Sequence, residues 1–414
     1  MSDDHKGTLS PAEADALRML DARGGAMLAQ VEAWSAVNSG SRNLDGLARM
    51  ADLLRDALAG LDGSVALRDA ALVEAIDDAG RPYALAHGRN LHFVARPDAP
   101  LRALLVGHMD TVFGADHPFQ SLRRIDANRL NGPGVADMKG GIAVMLAALE
   151  AFEASPFAAD IGIEVVINAD EEVSSLGSAP LLVEAARRCH VGLGYEPSQS
   201  PEGMLAGARK GSGNFSLAVH GRSAHAGRNP DDGRNAIVAA SDLALRLAAL
   251  SGKREGLSVN PARIDGGSAN NVVPDIAVLR FNTRVVTEQD QLWVEDAIRA
   301  AVAEVVAAHE VTVDLHGGFA RPPKPLDDHQ LKLFDLVKAC GGDLGLDLQW
   351  RASGGVCDGN NLAAQGLAVV DTLGVRGGAI HSADEYLLVD SLVERAKLSA
   401  LILMRIAQRT TVQG

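Results

Sequence analysis

With 414 residues, 47% of them hydrophobic and 22% charged, the chain has a mixed globular composition and enough length for two cores rather than one. Its net charge of −14 argues against a nucleic-acid or anionic-membrane partner, since both need a basic surface. The three cysteines, Cys189, Cys340 and Cys357, are far apart and form no CxxC pair, which rules out a disulfide framework and a thiolate zinc cluster.

The N-terminal segment through Leu20 carries Asp3, Asp4, Glu13 and Asp15 and lacks the apolar core of a secretory signal. No stretch reaches the ~18 uncharged apolar residues needed to span a bilayer. A cytoplasmic location is therefore the default expectation.

In chain order, apolar spacing predicts amphipathic helices over residues 11–37 and 43–60, the first with Leu17, Leu20, Met27, Val31 and Trp34 on one side. Strands are expected near 83–95 and 102–107, then an Ala-, Met- and Leu-rich helix from Gly140 to Phe152. Strand 161–168, helix 178–188 and strand 191–195 complete an alternating β/α half, which implies a largely parallel sheet. The rhythm changes near 210. Strand 213–219, helix 234–250, strands 257–264 and 276–286, helix 289–309 and strand 311–315 follow the β-α-β-β-α-β order of the ferredoxin-like split motif. Ala320-Arg321-Pro322-Pro323-Lys324-Pro325 reads as a stiff boundary. Beyond it, helix 328–340, the Gly354-Gly355 turn, strand 367–373 and helix 390–408 return to the first style. The expectation is an α/β domain of residues 1–209 and 321–414 with an inserted α+β domain of residues 210–320.

The residues able to do chemistry gather at strand ends. Asn168-Ala169-Asp170-Glu171-Glu172 sets consecutive acids after an apolar strand, where like charges repel and folding gains nothing. They make sense if one carboxylate binds a metal and another handles a proton. His108 and Asp110 end a second strand. Residues two apart share a side, so His108 can ligate a metal while Asp110 bonds its other ring nitrogen. Asp137 lies between Gly132, Gly134, Gly140 and Gly141, whose tight backbone lets a carboxylate turn inward and bridge two cations; capping the following helix is the plainer role. Glu196, before Pro197, is a further strand-end acid, and His381 follows the Gly377-Gly378 pair. Singly, each reads as a solvated side chain. As an ordered series they point to a metal site at the carboxyl edge of an α/β sheet.

That series resembles the dinuclear zinc exopeptidase family of aminoacylases, acetylornithine deacetylase, succinyl-diaminopimelate desuccinylase and glutamate carboxypeptidases, the carboxypeptidase G type above all. The likeness runs from about residue 20 to 408 and is carried most specifically by Gly107-His108-Met109-Asp110-Thr111-Val112 and Gly134-Val135-Ala136-Asp137-Met138-Lys139-Gly140-Gly141. It implies a zinc-exopeptidase-like sheet with helices on both faces. It also implies two zinc ions, with Co2+ or Mn2+ as substitutes: His108, Asp137 and Glu196 hold one, and Asp137, Glu172 and His381 the other. Glu171 becomes the general base and Asp110 the residue that orients His108. The inserted domain becomes a lid through which a homodimer forms, and His225 a lid donor that often serves the partner subunit's site.

Arg284 and Asn271 match family positions that hold the substrate's carboxylate. A planar guanidinium suits that group, although a strand arginine paired with Asp275 or Asp290 is the alternative. Carboxypeptidase G types place a glutamate-reading lysine where this chain has Met204, which makes Arg209 and Lys210 the candidate substitutes. Gly355 and Cys357 are candidates for a substrate-facing loop, with Cys357 equally readable as a buried inert thiol.

The function so implied is hydrolysis of an amide beside a free carboxylate in a small molecule, releasing a glutamate-like C-terminal amino acid. An N-acyl-amino-acid deacylase or desuccinylase is the close alternative. A cysteine hydrolase using Cys357 with His381 leaves the metal-ligand series unexplained, and a non-catalytic metal- or peptide-binding module has no need of Glu171.

Overall fold

The computed structural model describes residues 8–412, so Asp3 and Asp4 of the N-terminal segment lie outside the described residues. Its central sheet has the order Ser64–Arg68, Asn90–Ala95, Gly162–Asn168, Arg102–His108, Val191–Gly194, Ala368–Val370. The last four strands run parallel, and each of the first two is antiparallel to its inner neighbour. Parallel strands covered on both faces need near-continuous apolar runs, and Leu104-Leu105-Val106 and Val165-Val166-Ile167 supply them, all at most 3% exposed.

Alternation along each strand divides the two faces. Ala103 and Leu105 join the core formed with helices Gly24–Ser35, Gly141–Glu153 and Ser391–Val412. Leu104, Val106 and Val166 pack instead against Leu181 and Leu182 of helix Ala179–Arg188 and Leu362 of helix Asp358–Ala363. The helix that begins at Gly141 passes directly beneath a strand end, where a Cβ would lie 2.0 Å from the Tyr195 carbonyl oxygen. Only glycine permits that approach. None of the described helices is long and apolar enough to cross a membrane.

Residues 211–321 build a second, wholly antiparallel sheet in the order Ser258–Gly266, Ile276–Val285, Gly211–His220, Thr312–Arg321. Helices Ala236–Ala248 and Glu288–His309 cover one face, with Phe215, Leu217, Val219, Leu279 and Phe281 in a core of their own. This is the ferredoxin-like β-α-β-β-α-β arrangement.

Several expected elements come out differently. The single helix over 11–37 is two helices, Pro11–Arg18 and Gly24–Ser35, separated by a turn. Gly24 and Gly25 are weak helix formers, and the break keeps Leu17, Leu20, Met27 and Val31 in one core. The segment 83–95 is likewise two strands: Pro82–Leu85 pairs with Val73–Ile76 in a hairpin, and only Asn90–Ala95 enters the central sheet. The strand expected to stop at 315 continues to Arg321, so the supposed boundary begins inside a sheet.

One charged residue interrupts the central apolar run. Glu164 is fully buried and bonds His92 Nε2 at 2.8 Å and Arg102 Nη2 at 2.6 Å, with Arg188 a third partner. Burial raises its carboxyl, but the bonds from His92 and Arg188 outweigh that and hold it at about 2. A carboxylate depressed in the folded state stabilises above its unfolded pKa, and that stability is lost as pH falls through the folded value. Urea midpoints are therefore expected to fall as pH drops from about 4.5 toward 2. Glu164→Gln should flatten that slope and cost about 3 kcal/mol at neutral pH by leaving the partly buried Arg102 and Arg188 without their counter-charge.

Candidate metal centre

Three central strands deliver their carboxyl ends to one place. In register, His108 lies beside Asn168, and Val106 beside both Val166 and Gly194, so the segments following these strands emerge together. The His108 ring is 1% exposed. Its Nδ1 meets the Asp110 carbonyl oxygen at 3.0 Å, and because a carbonyl can only accept, Nδ1 carries the hydrogen. Nε2 is thereby aimed at Asp137 Oδ1, 3.1 Å away, and at Glu196 Oε1, 3.8 Å away.

Asp137 lies between two histidines. Its Oδ1 faces His108, and its Oδ2 lies 3.3 Å from His381 Nε2, which is itself 3.2 Å from Glu172 Oε2. Gly134, with φ 71°, turns the chain into this position. The Glu385 carboxylate holds the turn by accepting from the backbone N–H of Gly134 at 3.2 Å, Ala136 at 2.9 Å and Asp137 at 3.1 Å. Asp137 is thus a tightly held inward carboxylate rather than the cap of the following helix.

Asp110 meets His108 through both its backbone and its side chain. Its carboxylate stands 3.4 Å from His108 Nδ1, so the backbone carbonyl is the closer orienting group. The carboxylate also accepts from Ser41 Oγ at 2.7 Å and from the backbone N–H of Glu171 and Glu172 at 3.1 and 3.2 Å. It fixes the two-glutamate turn. That turn is also not a continued strand: Glu171–Val173 forms a 3-10 turn, which sends Glu172 to His381 and Glu171 to Arg321.

Burial and crowding shift the charges. Burial raises Glu172 to about 7, with Asp137 adding repulsion, and it also raises Glu196. Glu171 is pushed well above the usual carboxylate range by burial, against the pull of Arg321. His381 rises to about 11 through its bonds to Asp137 and Glu172. Burial lowers His108, but its bonds to Asp110, Asp137 and Glu196 outweigh that and raise it.

The donor set fits divalent cations. Ligand atoms of His108, Glu171 and Glu196, and of His108, Asp137 and Glu172, all lie within 4.8 Å of one another in each group. Glu172 Oε1 is buried with no hydrogen-bond partner, as an oxygen awaiting a cation would be. Nitrogen and carboxylate donors of this kind suit zinc, manganese or cobalt.

The site opens into a cavity of about 960 Å³ lined by residues of both sheets, including Glu171, Asn214, Asn282, Arg284, Arg321 and Tyr386. Arg284 donates from Nε to Asn282 Oδ1 at 3.0 Å, while its Nη1 is buried without a partner. The expected alternative fails for Asp290, which pairs with Arg254 at 3.0 Å.

Gly355 and Cys357 also line the cavity. Burial drives the Cys357 thiol well above its ordinary value, and its sulfur accepts from the Gly359 N–H, so it is not a ready thiolate nucleophile. Arg209 lines the cavity too, but its guanidinium is held by Asp371 through two bonds of 2.9 Å.

Three expected residues lie elsewhere. Lys210 points away to the Gly256 carbonyl at 2.7 Å. His225 and Asn271 are exposed on neighbouring turns of the second sheet and do not line this chain's cavity. Sequence reasoning missed Arg321, Asp358 and Glu385. All are buried charges, and only Arg321 left a signal, as a lone cation between a glycine pair and two prolines.

Comparison with known proteins agrees with this geometry. The model of peptidase family M20/M25/M40 matches residues 104–405. Carboxypeptidase G2 of Pseudomonas sp. (strain RS-16) is 30% identical over 307 residues, covering 73% of this chain and 73% of that protein. Succinyl-diaminopimelate desuccinylase of Psychrobacter sp. (strain PRwf-1) is 29% identical over 313 residues, covering 70% of this chain and 76% of that protein. The fold is shared with an M20 family metallo-carboxypeptidase of Sulfolobus solfataricus (TM-score 0.70, 15% identity, 92% of this chain and 99% of that one). It is shared too with human carnosine dipeptidase 1 (TM-score 0.69, 16% identity, 96% of this chain and 100% of that one). The matched span takes in every strand end that carries the histidines and acids described above, and the chain is a hydrolase belonging to peptidase family M20/M25/M40.

Proposed function

We propose that the protein hydrolyses an amide bond adjacent to a free carboxylate, releasing a glutamate-like C-terminal amino acid from an N-acyl or peptidyl substrate. The observation that carries the reading is Asp137, whose two oxygens face His108 and His381 at 3.1 and 3.3 Å. A carboxylate so placed is suited to bridging two cations. His108, Asp137 and Glu196 would hold one zinc, and Asp137, Glu172 and His381 the other. The pair supplies Lewis acidity to water and to the scissile carbonyl.

Glu171 takes a proton from the attacking water as its oxygen bonds the carbonyl carbon. It then delivers that proton to the nitrogen as the C–N bond breaks. Arg284, the lining cation with a buried unpartnered Nη1, receives the substrate carboxylate. A homodimer formed through the second sheet gives exposed His225 a role in the other subunit's cavity, with Asn271 beside it. A cytoplasmic setting suits a small-molecule substrate of this kind.

A second reading, an N-acyl-amino-acid deacylase or desuccinylase, is favoured by one feature. Arg209 is committed to Asp371, which leaves Met204 without an obvious replacement as a reader of a glutamate side chain. A panel of N-acyl, dipeptide and pteroyl-glutamate substrates separates the two. Amino acid release that stops with a chelator and resumes with zinc supports the metallohydrolase, and the best substrate selects between readings. No release from any member after zinc is restored would count against both.

A further inference from the structure

Arg321 ends the strand Thr312–Arg321 of the second sheet and is 1% exposed. Its guanidinium reaches into the central α/β layer. Nη2 donates to Glu171 Oε1 at 2.8 Å, to the Glu171 carbonyl at 3.2 Å and to Ser175 Oγ at 2.8 Å. Nη1 donates to Asp358 Oδ1 and Asn361 Oδ1, both at 2.6 Å. A planar cation engaged on both arms has no freedom to turn, and it fixes whatever it holds.

Glu171 has two possible places. One of its oxygens lies within 4.8 Å of donor atoms of His108 and Glu196, close enough to join them as a further metal ligand. A carboxylate bound that way shares electron density with the cation and is a weaker base. Arg321 engages Oε1 alone, and Glu171 lines the cavity, so Oε2 is the oxygen left for the proton. Asp358 has two further donors, Asn168 Nδ2 and Ser175 Oγ at 2.5 and 2.6 Å, so Arg321 is one of three groups that hold it.

We propose that Arg321 is a positioning residue that holds Glu171 back from the cations and keeps it a base; this rests on the assignment of Glu171 above. The contact joins the second sheet to the turn that carries the base, so the place where the chain re-enters the α/β layer also sets the reacting geometry.

The test compares Arg321→Met and Arg321→Lys, each alone and with Glu171→Gln, by kcat, KM, metal retained under chelator competition and melting temperature. Arg321→Met is expected to lower kcat ~10²-fold with KM within about threefold. Metal should be held at least as tightly as in the parent, because Glu171 is released toward the cations. In the Glu171→Gln background the same change should cost no further activity, the non-additivity expected of residues acting as a unit. Arg321→Lys keeps charge but not the two-armed grip, so it should fold and lose about tenfold in kcat; it decides the matter if Arg321→Met does not fold.

A purely structural role would instead lower melting temperature and metal retention together and would cost the same factor in both backgrounds, which overturns the proposal. Full activity of both Arg321 variants beside an inactive Glu171→Gln sinks this inference alone. Undiminished activity of Glu171→Gln sinks the base assignment and this inference with it.

Discussion

Glu171→Gln is expected to lower kcat by roughly 10²–10⁴-fold, the usual worth of a positioned general base, while the metal content stays that of the parent. Glutamine preserves size and can still accept the Arg321 bond at Oε1, so the change removes the proton acceptor and little else. Two features of Glu171 motivate the expectation: it lines the cavity, and burial lifts its carboxyl well above the ordinary range. Measuring kcat and metal stoichiometry on one preparation separates the possible roles. Metal loss in parallel with activity would mean that Glu171 is a ligand and that the base lies elsewhere.

Asp137→Ala should be more damaging to the centre itself. Both of its oxygens face histidines, and in the proposed bridging role its loss would remove a ligand from each ion at once. Neither ion should survive dialysis against a weak chelator, and activity should fall with them. His381→Ala is the informative contrast. His381 touches Asp137 and Glu172, so an ion that His108, Asp137 and Glu196 would hold should persist. Metal content near zero for Asp137→Ala and near one for His381→Ala is the expected pair. Equal losses in the two variants would argue against a bridging carboxylate.

The strand-end residues were legible in the chain because their signal is local. A histidine or acid directly after an apolar run, or an aspartate fenced by glycines, is conspicuous without any knowledge of its neighbours. The second sheet was equally legible, since its strands alternate and its helices repeat with the ordinary period. Legibility failed where local grammar was ambiguous. The strand expected over 311–315 runs on through Gly317 and Gly318, whose pairing with Phe215 and Asn214 carries it to Arg321. Asp110 was readable beside His108 because residues two apart share a side. Its further hold on two backbone N–H groups from another strand end could not be seen.

The chain's own pattern was therefore enough for the α/β layer, the second sheet and the ordered set of histidines and carboxylates, each written in short-range periodicity and turn chemistry. Tertiary structure alone settled how those groups are held. Glu385 grips the Asp137 turn from 248 residues away, and Arg321 reaches Glu171 across 150. It also settled which expected cations face the cavity, keeping Arg284 and diverting Lys210 to a carbonyl. The reason is physical. A buried charge finds partners wherever the packed chain brings a donor or acceptor within about 3 Å, and such pairings have no period along the sequence.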